Sequence, residues 1–258
     1  MYRGLEAAPT REIAVRNVKA VIEYDGTDFC GFQKQSSKRT VQGDLEAAIQ
    51  AVFGERIQVV GAGRTDAGVH ATGQVVNFHA PDPIPTENLV TVINGRLSPD
   101  IRVKRCEEAP ETFHARRSAS SRTYVYTILN RREPSAILGR YAWHIMQPLD
   151  PDVMEAAASC FVGTKDFASF GMPYRPGGST VRYVAGIAVR RRKDAILFVI
   201  KANAFLRGMA RAIAGTIVEV GQGKRSVEDI PVILEARDRQ AAGVTAPPQG
   251  LCLTKVEY

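Results

Sequence analysis

Segments with strand and helix periodicity follow one another in the order β-α-β-β-α-β, and they do so twice. Val18–Tyr24 is rich in β-branched and apolar residues, as a strand is. Thr40–Phe53 carries apolar residues at 41, 45, 48, 49 and 52, one face of a helix. Gln58–Val60 and Val75–Phe78 read as short strands. Glu87–Leu97 repeats the helical spacing at 89, 92, 93 and 97, and Ile101–Cys106 closes the first pass as a strand. The second pass opens with a strand at Arg122–Leu129. A helix follows at Pro151–Phe161, with proline at its start. Next come a hairpin of Val181–Arg190 and Ile196–Ala202, helices at Leu206–Val220 and Val227–Ala236, and a last strand at Leu251–Tyr258. This order predicts an α+β chain of two ferredoxin-like β-α-β-β-α-β halves, each a mainly antiparallel sheet with helices on one face. The boundary is expected near Ala109–Thr112. That gives a loose leader at 1–17, an N-terminal α+β domain at 18–111 and a C-terminal α+β domain at 112–258.

Between the two short strands of the first half lies "GAGRTDAGVHATGQVVNF", residues 61–78. Its small residues offer little packing volume, and its glycines let another molecule come close. Asp66 in such a run has two readings. It can bond its own backbone in a turn or cap a helix. Or it can be presented to a ligand, with the positive charge of Arg64 beside it, as nucleophile, base or stabiliser of developing positive charge. His70 follows at i+4. The pair has the spacing of two metal ligands on one helical face, but no third or fourth ligand matches it. A structural histidine or an RNA contact fits His70 better.

Charge narrows the partner. Residues 1–111 hold 13 Lys and Arg against 15 Asp and Glu, a net of −2, whereas residues 112–258 hold 21 against 12, a net of +9. A basic half suits a polyanion, because each neutralised phosphate releases counterions. The four cysteines, Cys30, Cys106, Cys160 and Cys252, form no C-x-x-C pair, and the four histidines form no H-x-x-x-H pair. Scattered cysteines suit a reducing cytoplasm and speak against a zinc site. No apolar run approaches the ~18 residues of a membrane span, and residues 1–17 lack the apolar centre of a secretory signal.

Two further stretches carry chemistry. In "SASSRTYVYTILNRR", residues 118–132, Tyr124, Tyr126 and Ile128 share one strand face. They pack in a core, or Tyr124 forms a stacking platform for a nucleobase with Arg116, Arg117, Arg122, Arg131 and Arg132 near the phosphates. In "IKANAFLRGMARAIAG", residues 200–215, Arg207 and Arg211 stand at i and i+4 near a helix start, with Lys201 just upstream. Arginines there oppose the helix dipole unless an anion meets them.

Together these segments resemble the TruA-type tRNA pseudouridine synthases. The likeness runs from "EYDGTDFCGFQKQ" at 23–35, through "GRTDAGVHATGQVV" at 63–76, "FHARRSAS" at 113–120, "RTYVY" at 122–126, "DFASF" at 166–170 and "KANAFLRGMAR" at 201–211, to "GLCLTKVEY" at 250–258. The resemblance implies isomerisation of uridine to pseudouridine in tRNA, typically in the anticodon stem-loop, by a homodimer without metal or organic cofactor. It implies that Asp66 is catalytic, Tyr124 stacks on the target base, Arg64 helps open the stem and hold the flipped-out geometry, and Arg211 pairs with the aspartate. His70, Arg207 and Lys201 complete the expected substrate-binding set. Phe32 stands where the family commonly has tryptophan, and Gly208, Ala210 and Ala212 replace larger or polar residues. Two other readings differ in kind: an RNA-binding protein without catalysis, and a metal-dependent hydrolase using Asp66 and His70.

Overall fold

The computed structural model describes residues 15–81 and 84–258. The first strand, β1, spans Val15–Tyr24, so residues 15–17 of the expected leader are strand. Residues 1–14 of that leader lie outside the described residues. Then come α1 (Val41–Phe53), β2 (Val60–Gly61), β3 (His70–Pro81), α2 (Thr86–Asn94) and β4 (Ile101–Ala109). The second half holds β5 (Ser121–Asn130), β6 (Trp143–Ile145), α3 (Pro151–Ser159), β7 (Gly163–Asp166), β8 (Val181–Arg192), β9 (Ala195–Ala202), α4 (Met209–Gly221), α5 (Asp229–Ala236) and β10 (Leu251–Glu257).

Local chemistry sets the helix ends. Thr40 caps α1 through its hydroxyl, which accepts from the Gly43 N–H at 3.2 Å, and Gly54 ends it at φ 79°. Asp150 caps α3, with Pro151 in the first turn. Gly208, at φ 79°, turns the chain into α4, which therefore begins three residues after the expected Leu206.

The sheet is mixed but mainly antiparallel, and its strand order repeats. In the first half β4-β1-β3 run side by side, with β2 also on β3; in the second the order is β10-β5-β9-β8. Each half thus places its last, first, third and second main strands in sequence, as the repeated element order predicts. One short parallel pairing joins them: Cys252 and Leu253 of β10 against His70 and Ala71 of β3. The expected boundary near Ala109–Thr112 falls in the connection between β4 and β5, while the sheet itself is continuous. β6 and β7 were not expected, being only three and four residues long.

The largest departure concerns β3, which starts five residues before the expected Val75. His70–Gly73 is strand, although its small residues suggested loop. The close approach of β10 explains the composition: a Cβ on Gly73 would collide with the Thr254 carbonyl. That glycine serves strand packing and not ligand clearance. Asp66 is left on a loop of about eight residues, 62–69, directly above the seam between the halves.

A candidate active site at the seam of the two halves

Four of the expected site residues converge. Asp66 sits on the 62–69 loop from the first half. Tyr124 lies on β5, one strand beyond β10, and its Cα partner there is Leu253. Arg211 is in the first turn of α4. Asp66, Arg64, Tyr124 and Arg211 all border one cavity of about 30 Å³, whose floor includes Leu251 of β10. The parallel β3–β10 pairing is what carries the loop of one half to β5 and α4 of the other.

Arg211 holds Asp66 from a fixed base. Its Nη1 donates to Asp66 Oδ2 at 3.2 Å, while its Nε donates to the Ala246 carbonyl at 2.7 Å. The Ala246 N–H in turn donates to the Arg211 carbonyl at 3.1 Å. The anion that the dipole argument required near the start of α4 is therefore Asp66 itself. Tyr126 steadies the same segment by donating its hydroxyl hydrogen to the Pro247 carbonyl at 2.8 Å.

The Asp66 loop is clamped below its tip. Gln74, fully buried on β3, accepts from the Gly63 N–H at 3.3 Å and donates to the Gly63 carbonyl at 2.9 Å. Tyr24 and Thr65 share a hydroxyl hydrogen bond of 2.9 Å, and the Phe32 N–H donates to the Thr65 carbonyl at 3.1 Å. Gly31, at φ 91°, lets its backbone pass against Thr65–Ala67, where a Cβ would meet the Thr65 oxygen at 2.9 Å. The "GF" of the first motif thus fixes the loop that carries Asp66.

Tyr124 is 6% exposed and meets Phe205 edge-on, ring centroids 4.9 Å apart. Burial pushes its phenol well above the ordinary tyrosine range, with the nearby Tyr174, Tyr24 and Asp66 adding to the effect. The ring is therefore neutral near pH 7. It can stack or donate a hydrogen bond, but it does not abstract a proton.

Arg122 corrects the expectation that it lies near phosphates. It is buried, and its guanidinium donates to the carbonyls of Ala62 (2.8 Å), Arg116 (2.7 Å), Ala119 (3.2 Å) and Asn203 (2.7 Å). Burial lowers its pKa. Its role is to tie the Asp66 loop, the 116–119 turn and the end of β9 together. Asn17 and Asn77 pin the preceding segment through the Phe113 carbonyl and the Ala115 N–H. Arg116 is thereby held at the mouth of the site, beside Arg64, where both border a second cavity of about 70 Å³.

Two expected contacts fall elsewhere, and a third, Arg207, stands at the edge of the site near Tyr174. His70 lines a separate cavity of about 400 Å³ that shares no lining residue with the Asp66 cavity. Its Nδ1 accepts from the Gly26 N–H and its Nε2 donates to the Arg140 carbonyl, both at 3.0 Å. This is the structural reading, and it leaves neither ring nitrogen free for a metal. Among the described residues, no three His, Cys, Asp or Glu side chains are grouped to hold a metal ion. Lys201 pairs with Thr123, so it lies on the sheet face opposite Tyr124, and it forms an ion pair with Glu257. Arg207 is exposed, with its backbone paired to Met172, and it borders neither cavity of the site.

The sequence reading missed Tyr174. Its hydroxyl donates to the Arg64 carbonyl at 3.2 Å, and its ring borders both small cavities. Burial, and then the charge of Asp66, raises its pKa to about 12. The only sequence signal was an aromatic residue inside the Pro- and Gly-rich stretch "GMPYRPGG" at 171–178, which marked a loop.

A model of the tRNA pseudouridine synthase family matches residues 20–117 and 157–258. The tRNA pseudouridine synthase A of Caldicellulosiruptor bescii is 44% identical over 244 residues, covering 95% of this chain and 100% of that protein. Proteins of the same name from Acetivibrio thermocellus and Brevibacillus brevis are 42% and 44% identical over the same length, with the same coverage. The family model takes in the Asp66 loop and α4, the relatives align over 95% of the chain, and the chain belongs to the tRNA pseudouridine synthase family.

Proposed function

We propose that this chain isomerises uridine to pseudouridine in tRNA, in the anticodon stem-loop, with Asp66 as the reacting carboxylate. The observation that carries the reading is the Asp66–Arg211 pair in a cavity walled by Tyr124, with Arg64 and Arg116 at its mouth. The reaction breaks the N1–C1′ bond, turns the uracil and joins C5 to C1′. C5 gives up its hydrogen and N1 gains one, so atoms balance without water. One carboxylate suffices where a glycosidase that must also activate water uses two. Asp66 offsets positive charge developing on the ribose, or captures C1′ covalently, while the base turns.

The target nucleotide must leave its stack, at a cost of a few kcal/mol. Stacking on Tyr124 returns about 1–3 kcal/mol. Arg64 and Arg116 offer fixed positive charge to the flanking phosphates. The basic surface of the second half extends that attraction, and among the described residues no helix is long and apolar enough to cross a membrane. A homodimer acting in the cytoplasm, with the chain divided at 111/112, completes the reading.

Release of tritium from tRNA labelled at uridine C5 is the direct test. The wild-type protein is expected to release it in proportion to the sites modified, with or without a chelator. A protein that only binds RNA would release none. A metal-dependent hydrolase would stop when chelator is added.

Arg211→Lys is expected to lower kcat about 100-fold with little change in KM. Arginine spans the Ala246 carbonyl and Asp66 with two different nitrogens. Lysine gathers its donors on one nitrogen at the end of a flexible stem and has none at the Nε position, so the two acceptors are no longer held by one rigid plane and the carboxylate loses its fixed position. Wild-type kcat in this variant would remove the pairing from the mechanism.

A further inference from the structure

The Asp66 cavity, as it stands, is too small for its ligand. A space of about 30 Å³ has room for a water or two. A uracil ring cannot enter it. Among the side chains that line this space, Tyr174 comes from a loop outside the sheet and the helices. It borders both the Asp66 cavity and the adjoining 70 Å³ cavity, as do Arg64, Tyr124 and Phe205. The Arg64 guanidinium lies 5.5 Å from the ring centroid and that of Arg116 lies 5.8 Å from it. Arginine planes meet nucleobases in the same way. The phenol thus packs an aromatic ring against the two arginines at the mouth, in the space through which an extruded base must pass to reach Tyr124 and Asp66.

Its attachment is light. One hydrogen bond to the Arg64 carbonyl, at 3.2 Å, holds the hydroxyl. The backbone is paired at Met172 with Arg207, and from Tyr174 to β8 it runs through Pro176, Gly177 at φ 69° and Gly178. Residues 175–179 are exposed. The ring can therefore leave without unfolding either half.

We propose that Tyr174 is a placeholder for the target base: its ring closes the site in the free protein and must be displaced before a uridine reaches Asp66. This rests on the isomerase reading for the identity of the base. It makes Tyr174 a specificity residue, because a short RNA that binds only through the inserted base must overcome the full displacement. A tRNA docks on the basic surface first and meets the barrier as a later, internal step. If the ring holds the site nine-tenths of the time, the apparent affinity of a base-inserting ligand is reduced about tenfold.

The probe is a fluorescein-labelled pentauridylate, with binding read by anisotropy. Tyr174→Ala is expected to bind it about tenfold tighter than wild type, while the Kd for tRNA changes by less than about twofold. Tyr174→Phe, which keeps the ring and loses one hydrogen bond, is expected to bind it no more than about threefold tighter than wild type. Tyr174→Leu fills less of the opening and is expected to fall between Ala and wild type, so the question survives an unstable Ala variant. Unchanged or weaker pentauridylate binding in both Ala and Leu would overturn the placeholder, as would a gain in Phe equal to that in Ala. The two readings fail separately. Tritium release by wild type without tighter binding in the variants removes only the placeholder. Tighter binding without tritium release removes only the isomerase.

Discussion

Replacing Asp66 by asparagine is expected to lower tritium release from C5-labelled tRNA by on the order of 10⁴-fold, to background, with tRNA affinity within about twofold of wild type. Asparagine has the same shape, and its carbonyl oxygen can still accept from Arg211 Nη1 at the 3.2 Å observed for the carboxylate. What disappears is the negative charge and the nucleophilic oxygen. Binding is spared because the expected phosphate contacts are arginines at the mouth of the cavity and on the basic surface beyond it. Arg64 is exposed at its mouth, and phosphate contacts of this kind dominate affinity. Asp66→Glu is the companion variant. It restores charge on a longer arm, and in so small a cavity the carboxylate cannot keep its place. Misplacement of about 1 Å costs about 10²-fold, so residual activity near 1% of wild type is expected there. Turnover above that level in the asparagine variant would show that another group does the chemistry.

How far the sequence revealed this site depends on what each residue does. Asp66 and Arg64 stood out because charged groups in a run of glycines lack a packing role. The longer strands of the second half, β5, β8, β9 and β10, were legible as runs of apolar and β-branched residues. In β9 buried residues occupy every second position from Ile196 to Ala202, but residues 195–200 are all apolar, so the run marks a strand without marking its buried face. β3 was misjudged at its start, since small residues signal both a ligand loop and two strands in close approach. Only the neighbour across the gap, Thr254, decides between them. Arg122 looked like a phosphate ligand because nothing local distinguishes an exposed arginine from one whose donors are taken by four carbonyls. Lys201 failed by register: a one-residue offset from Ile200, the partner of Tyr124, puts it on the other face. The Arg211–Asp66 pair spans 145 positions, so composition and periodicity could not propose it. The resemblance supplied the pair, and the seam between the halves explains it physically. Gln74 left no clear trace, because β3 also carries His70, Thr72, Asn77 and His79 and only the structure shows which of its polar groups are buried.

Gly215→Ala is expected to destabilise the protein by about 3 kcal/mol, lowering Tm by about 6–12 °C. Helix propensity argues the opposite sign. Gly215 lies inside α4, where alanine is favoured over glycine by about 1 kcal/mol. Packing decides the outcome. A Cβ at 215 would overlap the Val244 carbonyl oxygen and stand 2.9 Å from its carbon, and this neighbour is backbone, which cannot rotate aside as a side chain does. The 243–246 segment must move. With it go three hydrogen bonds: Gly243 N–H to the Thr216 hydroxyl at 2.9 Å, Val244 N–H to Glu219 Oε1 at 3.0 Å, and Ala246 N–H to the Arg211 carbonyl at 3.1 Å. Each is worth about 1 kcal/mol net, so losing them and overpacking the helix outweighs the propensity gain. The damage reaches the chemistry as well. The Ala246 carbonyl that receives Arg211 Nε shifts with its segment, and the arginine loses the base from which it holds Asp66. Calorimetry and tritium release on the same preparation should therefore fall together, with kcat reduced about tenfold at a temperature where the variant is still folded. A variant that melts later than wild type would mean that the segment yields freely, and full kcat in a destabilised variant would mean that Ala246 does not anchor the pair.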